Sequence, residues 1–489
     1  MKPQLSCTAA GLVAGLAGAR LVSGDPATVI GGVGLDWRCP GPGTVFVAGP
    51  GGERFASEAV ARGAVAVVAG DPGAVEVPAG VPVLGVARGD SAAAHLAGDV
   101  AVALYGDPSR AMTVVGVTGT AGKTTTVRLI AAALEASGVR SGCLTGPLGG
   151  AGGVHRVLAG LAVDGCGAAA VEAGSVALAA GELRGCSAAA AVLTNLSPDR
   201  LEAHGSMEAY LAAKASLFTL VGDGGLGVLN ADSPVAPLFA RYCRGRVLTF
   251  GVRARAEVRA RGIRIDGGGA AFTVDTPWGS AEVATPLAGA MNVANWLAAA
   301  AVVLGLGADL ADVVAAARST AVPGRMERIE CGQDFGVVVD AARTPSALAA
   351  ALRAVRDQTR GRLLVGFGHG GGLEAGNRPA LGSVAASLAD VTVLTADDPG
   401  GEDPGAIAAQ ILTGAACESR PLAGRLVVEL DRAAAIRRLV AMAAPGDTVL
   451  VAGKGDSARQ VLGSGPQPWS DAAQARGALA ELGYRQHVA

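Results

Sequence analysis

Lysine is scarce in this chain: of 489 residues, 40 are lysine or arginine, and the lysines are Lys2, Lys123, Lys214 and Lys454 alone. Ordinary solvent-facing positions have gone to arginine. Guanidinium is bulky, planar and always charged, so it cannot replace lysine where a compact ammonium sits under phosphates or where a neutral amine must react. The three internal lysines therefore nominate sites. Other shortages exclude whole classes of function. A net charge of −2 leaves no basic face for nucleic acid and no acidic tail for a charged partner. The eight cysteines (Cys7, Cys39, Cys143, Cys166, Cys186, Cys243, Cys331, Cys417) include no Cys-x-x-Cys pair and no histidine at zinc-finger spacing. They are expected to be small buried hydrophobes in a reducing cytoplasm. The apolar stretch at residues 9–19 is too short to span a bilayer. A signal peptide is the competing reading, since a lysine precedes the stretch, but Arg20 and a nucleotide site downstream favour a first amphipathic helix. The expected protein is cytoplasmic, with no membrane or nucleic-acid partner, and monomeric. Aromatics make up 3% of the chain, and its hydrophobicity comes from alanine, valine, leucine and glycine, which suits α/β layers.

Lys123 ends the run Val114-Val115-Gly116-Val117-Thr118-Gly119-Thr120-Ala121-Gly122-Lys123, followed by Thr124-Thr125-Thr126. An apolar strand runs into a glycine-rich turn, and a helix is predicted to begin near Thr124. Backbone N–H groups of such a loop, added to a helix N-terminus, cradle phosphate oxygens. The lysine reaches the terminal phosphates and a threonine hydroxyl ligates Mg²⁺. The strict eight-residue pattern fails only at its first glycine, where Val117 stands.

The length predicts about three domains. Residues 1–110 mix short strands (44–48, 64–68) with alanine-rich helices and close on the turn Asp107-Pro108-Ser109. Residues 111–322 open with the phosphate loop and continue through strands at 168–172 and 189–194, the βαβ rhythm of a parallel sheet. Residues 323–489 repeat that rhythm with strands at 336–340, 363–366, 391–394 and 448–451. Between them stand polar islands: Glu172 at a strand end, Thr194-Asn195-Leu196-Ser197-Pro198-Asp199 at the next, and Lys214 in a helix predicted over 207–220. A carboxylate that follows a strand beside a phosphate loop is placed to hold Mg²⁺ directly or through water.

The ordered set of motifs resembles the Mur ligase family, on its MurE-like branch, over nearly the whole chain. It comprises Gly119-Thr120-x-Gly122-Lys123-Thr124-Thr125, Thr194-Asn195-Leu196-Ser197, His204-Gly205-x-Met207-Glu208-x-Tyr210-x-Ala212-Ala213-Lys214, Asn292-Val293-x-Asn295, Val322-Pro323-Gly324-Arg325-Met326-Glu327, Thr344-Pro345, Asn377-Arg378-Pro379 and Ala452-Gly453-Lys454-Gly455. The resemblance implies three α/β domains: a small substrate domain, a central ATPase-like domain with a mostly parallel sheet, and a Rossmann-like closing domain. It implies an ADP-forming ligase, in which ATP phosphorylates an acceptor carboxylate and an amine attacks the acyl phosphate. Thr118, Gly119, Thr120, Gly122, Lys123, Thr124 and Thr125 would then cradle ATP. Thr124 and Glu172 would serve Mg²⁺, and Lys214 would be carbamylated to ligate a second metal. Asn292 or Asn295 would meet the adenine, Arg325 the γ-phosphate and Asp340 the ribose. The third domain would close over the nucleotide for catalysis.

Departures from the family pattern are as informative. Arg200 stands where relatives have a metal-ligand histidine, and other family histidines fall at Val176, Arg343 and Asp456. Arginine cannot bind a cation, but it can pair with the Lys214 carbamate or the transferring phosphate. The diaminopimelate clamp Asp-Asn-Pro-Arg reads Asp397-Asp398-Pro399-Gly400 here, a further arginine position is Leu373, and Ser457 stands for a glutamate. Diaminopimelate is therefore not the expected amine, although Asp397, Asp398, Gly453 and Ser457 keep the amine-site positions. The uridine-site signature survives in part as Asp36-Trp37-Arg38, so Asp36 and Arg38 are the candidate acceptor-binding residues. The leading expectation is a ligase with an altered carboxylate acceptor and amine. The alternatives are the ordinary peptidoglycan step on a UDP-muramyl peptide, and a nucleotide-binding pseudoenzyme that serves as a scaffold.

Overall fold

The computed structural model describes residues 3–86, 93–146, 152–197, 201–266, 269–417, 425–463 and 465–485. Lys2, Asp199, Arg200 and His487 lie outside the described residues. The backbone divides into two compact units, Met1–Arg261 with Thr273–Glu282 and Ala294–Ala317, and Gly262–Phe272 with Val283–Val293 and Arg318–Ala489.

The first unit opens with a five-stranded sheet in the order Ala19–Ser23, Val83–Val86, Ala64–Ala69, Thr44–Val47, Gly32–Gly34, in which only the Ala19–Ser23 edge is antiparallel. Helix Ala93–Tyr105 and the first helix bury Leu12, Leu96, Val100 and Leu104 against it. That first helix is shorter than the apolar run predicts. It ends at Gly15, because Leu16 turns extended and Gly18 takes a positive φ of 74°, and the chain then enters a strand.

A nine-stranded sheet follows. Its parallel strands lie in the order Ser141–Leu144, Ala168–Glu172, Thr113–Thr118, Ala188–Leu193, Val221–Asn230, Arg246–Gly251, Val258–Asp266. Strands covered on both faces need no alternation, which is why Ala168–Val171 and Ala190–Leu193 are wholly buried apolar runs. The phosphate-loop strand Thr113–Thr118 sits between Ala168–Glu172 and Ala188–Leu193. The chain thus leaves it toward one side of the sheet and later crosses to the other. Open α/β sheets bind ligands at such a switch point, outside the carboxyl ends of the strands.

The second unit carries a six-stranded sheet in the order Glu327–Arg328, Gly336–Asp340, Thr448–Ala452, Leu363–Phe367, Val391–Leu394, Leu426–Val428, parallel except at the first pair. Most of its helices start on side-chain caps, among them Thr344 before Pro345–Arg356, Asp431 before Arg432–Met442 and Ser470 before Asp471–Glu481, whereas Asn377–Leu388 follows Gly376 without one.

Two further expectations need correction. The helix predicted over 207–220 is α-helical only for Met207–Ala215 and tightens to a 3₁₀ turn over Ser216–Leu220. There the Ser216 hydroxyl donates to Ala213 O and that of Thr219 to Ser216 O, at 2.7 Å each, competing with the helix's own amide bonds. The cysteines are not uniformly buried either. Cys166, Cys186 and Cys331 are, whereas Cys39, in a turn, Cys143, on the outer strand Ser141–Leu144, and Cys417, past a helix end, are exposed. All eight are free thiols. No helix among the described residues is long and apolar enough to cross a membrane.

Candidate active site

The first unit gathers most of the sequence-nominated residues at the carboxyl ends of three adjacent strands. Two glycines shape the loop. Gly119 has φ +147°, and a Cβ there would stand 1.9 Å from Thr194 Oγ1; Gly122 has φ +82°, and its Cβ would stand 2.2 Å from Asn295 Oδ1. Neither position admits a side chain. Gly122 begins the helix Lys123–Ala136 without a side-chain cap, so the helix N-terminus presents its first amides toward the loop.

The neighbouring strand end grips this loop. Thr194 Oγ1 donates to Ala121 O at 2.7 Å, and Asn195 both donates to Ala121 O and accepts from Ala121 N at 2.9 Å. The Thr120 hydroxyl lies 3.0 Å from Ser197 N, from Ser197 O and from the Tyr210 hydroxyl. Asn230 Nδ2 in turn donates to Thr194 O at 2.6 Å. Thr118 Oγ1 ties the loop strand to Ala173 O at 2.8 Å. Thr125 is buried in the first turn of the helix.

Three polar groups converge beyond the loop. The Thr124 hydroxyl donates to Glu172 Oε2 at 2.6 Å, and Lys123 Nζ stands 4.0 Å from Glu172 Oε1 while donating to Gly119 O and Thr120 O at 3.1 and 3.2 Å. A hydroxyl beside a carboxylate is an oxygen donor pair suited to Mg²⁺, which takes few protein ligands and fills its octahedron with phosphate oxygens and water. On that chemistry the residues present fit the ion. Lys214 reaches the same loop. It is 2% exposed, donates to Gly119 O at 2.8 Å, and holds its ammonium 4.7 Å from the centre of the Tyr210 ring. Two lysines thus share one carbonyl. Tyr210, which carried no predicted role, joins Thr120 to Lys214.

Asp36 and Arg38, farther along the same unit, form a two-point ion pair at 2.9 and 3.0 Å, and the guanidinium holds the Asp36 carboxyl down at about 2. Beside them the Trp37 and Phe55 rings stack at 4.9 Å.

The second unit builds another polar cluster, also at strand carboxyl ends. Asp340 ends its strand and accepts from Met326 N at 2.8 Å and Ala342 N at 2.9 Å. Burial pushes its carboxyl above the ordinary value, against those two donors and the Arg325 charge. Met326 adopts φ +50°, unusual outside glycine, in the turn so held. Arg325 pairs with Asp456 at 2.9 Å. Lys454, 2% exposed, lies between Asp397 at 3.1 Å and Asp398 at 2.6 Å. Gly453 has φ +110° and donates to Asp340 O at 3.0 Å. Ser457 Oγ donates to Arg459 O at 3.0 Å. Asn292 Nδ2, also in this unit, donates to Ala288 O at 2.8 Å. Arg432 and Asp471, unmarked in the sequence beyond following helix caps, form a fully buried ion pair behind the cluster. A 340 Å³ cavity in this unit opens beside Gly336 and Thr448, at the amino ends of their strands, and its lining reaches Met326 and Ala288.

Comparison with known proteins places this geometry. A family model described as the Mur ligase middle domain matches residues 117–303, and one described as Mur ligase, glutamate ligase domain, matches residues 324–455. The UDP-N-acetylmuramyl-tripeptide synthetase of Roseiflexus sp. (strain RS-1) is 40% identical over 93% of this chain and 95% of its own. The UDP-N-acetylmuramoyl-L-alanyl-D-glutamate--2,6-diaminopimelate ligase of Geobacillus kaustophilus (strain HTA426) is 37% identical over 92% and 94%. A solved structure of a ligase of the latter name is 28% identical, with a TM-score of 0.62 over 95% of this chain and 98% of its own. MurF from Acinetobacter baumannii, 21% identical over 92% of this chain and 96% of its own with a TM-score of 0.68, shares the fold.

Proposed function

Since the chain belongs to the Mur ligase family, ATP-dependent, Mg²⁺-using and ADP-forming amide ligases, we propose that it joins a UDP-muramyl peptide carboxylate, or a close analogue of one, to an amine other than diaminopimelate. The observation that carries this reading is the loop at 118–125 with the Thr124–Glu172 contact at 2.6 Å and Lys123 beside it.

In this proposal residues 1–110 take the acceptor, with Asp36 and Arg38 near its nucleotide; residues 111–322 take ATP; residues 323–489 take the amine. The amides at Gly119, Thr120, Gly122, Lys123, Thr124 and Thr125 and the Lys123 ammonium bind the phosphates, with Thr118 anchoring the strand. Thr124 and Glu172 hold Mg²⁺, which supplies charge neutralisation at the transferring phosphoryl group. Asn292 or Asn295 serves the adenine, Asp340 the ribose and Arg325 the γ-phosphate. The acceptor carboxylate takes the γ-phosphoryl group, ADP leaves, and the neutral amine displaces phosphate from the acyl phosphate. Lys214, as a neutral amine, adds to CO₂ and loses a proton to become a carbamate. Its ammonium form holds Gly119 O instead, so the two forms exclude one another. For the amine, Asp397, Asp398, Gly453 and Ser457 form the rim. Leu373, Gly400 and Ser457 supply neither a carboxylate clamp nor a partner for a distal ammonium, which is the ground for setting diaminopimelate aside.

ADP release with ATP and Mg²⁺ across a matrix of UDP-muramyl peptides and amines tests the reading, with Lys123→Ala and Lys214→Ala as controls. Release that needs both a carboxylate and an amine and is lost in both variants supports it. Undiminished release in Lys123→Ala, or tight ATP binding with no release for any pair, refutes it, the latter in favour of a scaffold.

A further inference from the structure

Arg325 sits in a turn whose backbone is held at several points. Its own N–H donates to Val322 O at 3.1 Å, Gly324 N donates to Glu327 Oε2 at 2.7 Å, and Met326 N donates to Asp340 Oδ2 at 2.8 Å. The side chain is held as well. Arg325 Nη1 donates to Gly324 O at 3.0 Å and to Asp456 Oδ1 at 2.9 Å, in an ion pair whose side chains are only 22% and 26% exposed. Position 456 is a histidine in the family pattern and an aspartate here, so this carboxylate is a feature of this chain.

The pair forms where two loops touch backbone to backbone. Gly324 has φ +63°, and a Cβ there would run into Asp456 N; Gly455 has φ +56°, and its Cβ would stand 2.6 Å from Gly324 O and 2.7 Å from Arg325 Nη1. A side chain at either position would part the loops or displace the guanidinium. Asp340 also feels the Arg325 charge, but it takes hydrogen bonds from the backbone amides of Met326 and Ala342. Asp456 bonds the side chain itself. The guanidinium is thus tied at one nitrogen to a carboxylate on a facing loop, while its own turn is fixed by three backbone bonds.

We infer that Asp456 is a positioning residue, which holds the Arg325 guanidinium in the direction from which it meets the γ-phosphate. This rests on the ligase reading above, in which Arg325 binds that group. An arginine side chain has many rotamers, and fixing one of them in the folded protein moves the entropic cost from nucleotide binding to folding. A guanidinium carries five N–H donors on three nitrogens, so anchoring Nη1 is compatible with meeting an oxyanion through the others. The opposite role for the same contact is competition, in which the carboxylate takes the place of the phosphate. The fixed turn and the close approach of Gly455 favour positioning, because they confine the guanidinium.

The test is calorimetric binding of ATP and of ADP, each with Mg²⁺, to the full chain. Asp456→Asn and Asp456→Ala remove the same charge and differ in whether an acceptor remains for Nη1. Asp456→Asn should bind ATP about five- to thirtyfold more tightly than Asp456→Ala, the factor that one or two kcal/mol of side-chain ordering supplies. ADP, which lacks the γ-phosphate, should bind alike to both. In an Arg325→Ala background the difference should vanish, and thermal melts of every variant check folding. Equal ATP binding by the two variants overturns the assignment, as does a parallel loss for ATP and ADP, or a difference that persists without Arg325. Tighter ATP binding in both variants than in wild type makes the carboxylate a competitor and overturns it too. Unchanged ATP binding in Arg325→Ala alone removes Arg325 from the γ-phosphate and takes this inference with it. Absence of ADP release from wild type with every acceptor and amine refutes the ligase reading itself, a failure that the binding comparison keeps distinct.

Discussion

The ion pair between Arg432 and Asp471 offers the sharpest energetic test in the second unit. Both side chains are 0% exposed. Asp471 accepts from Arg432 Nε at 2.8 Å, from Nη2 at 2.7 Å, and from Trp469 Nε1 at 2.8 Å. Arg432 Nη2 also donates to Ala452 O at 2.9 Å, while Nη1 is buried without an acceptor. Burial disfavours the guanidinium charge, and Asp471 reverses that, so the Arg432 pKa is raised. Asp471→Ala strands a charged group that has nowhere to go, because arginine does not deprotonate. Removing one partner of such a pair costs about 3–5 kcal/mol. Asp471 further opens the helix Asp471–Glu481, where a carboxylate is favoured by the helix dipole by about 0.3–1 kcal/mol, so the upper half of that range is expected.

The double variant Arg432→Met/Asp471→Leu separates charge from packing. Replacing both ions by apolar groups of similar volume is often neutral or better, but here Ala452 O would lose its donor at a cost of about 1–3 kcal/mol. The double variant should therefore be more stable than Asp471→Ala alone, with a coupling energy of about 2–3 kcal/mol in the cycle. Urea unfolding followed by Trp469 fluorescence, referenced to Trp469→Phe, measures all corners. A cost below about 1 kcal/mol for Asp471→Ala, or additive single effects, would refute this account of the pair. The double variant should also raise the KM of the amine more than that of ATP, since Ala452 precedes Gly453.

In the first unit, Glu172→Gln keeps the shape of the side chain but removes the charge beside Thr124, and ADP release should fall by roughly 10²-fold or more with nucleotide affinity less affected. A loss below tenfold at saturating Mg²⁺ would dissociate Glu172 from the metal. Gly122→Ala must place a Cβ 2.2 Å from Asn295 Oδ1 at φ +82°, so the left-handed conformation alone costs about 1–2 kcal/mol and ATP affinity should drop at least tenfold by calorimetry. Adding Asn295→Ala should recover part of the affinity only if the clash contributes. Glu402, gripped by Arg378 with help from Gly372 N, has its carboxyl lowered from 4.5 to about 2. Because the folded value is depressed, its stabilising effect is full above pH 4.5 and is lost as the pH falls through about 2. A carbon-detected NMR titration of Glu402 with a midpoint near 4.5 would exclude the grip.

The elements most legible in the sequence were the doubly covered strands. Gly336–Asp340 and Val391–Leu394 coincide with their largely apolar runs, because a parallel strand buried on both faces reads as a nearly continuous apolar stretch, with Thr392 buried inside the second. Termini were less legible. The end of the first helix turned on Gly18, and that of Met207–Ala215 on the hydroxyls of Ser216 and Thr219, whose competition with the helix ladder is decided by which carbonyl each reaches. Pairings across long separations were not legible at all. Nothing near Arg432 points to Asp471, 39 residues on, or ties Arg343 to Gly453, 110 residues on. The same holds for Tyr210, whose hydroxyl meets Thr120 across 90 residues.

The retained lysines show why a shortage could nevertheless point to these places. Lys214 and Lys454 are each 2% exposed, and their ammonium groups end on acceptors 2.6–2.8 Å away, Gly119 O for one and Asp398 for the other. A guanidinium is wider than an ammonium and spreads its donors over a plane, so at Lys454 it would have to push Asp397 or Asp398 aside in a space with no room to yield. At Lys214 the wider guanidinium would have to fit against the face of Tyr210 beside Gly119 O, in a buried position that encloses an ammonium. Lys123 is less enclosed, but it shares Gly119 O with Lys214, and the two ammonium groups fit around one oxygen only because each is compact. Substituting arginine at Lys214 or Lys454 therefore acts through displaced neighbours as well as through lost chemistry. At Lys123 the charge survives and only its shape changes. Pressure toward arginine across the rest of the chain thus leaves lysine where size, more than charge, decides.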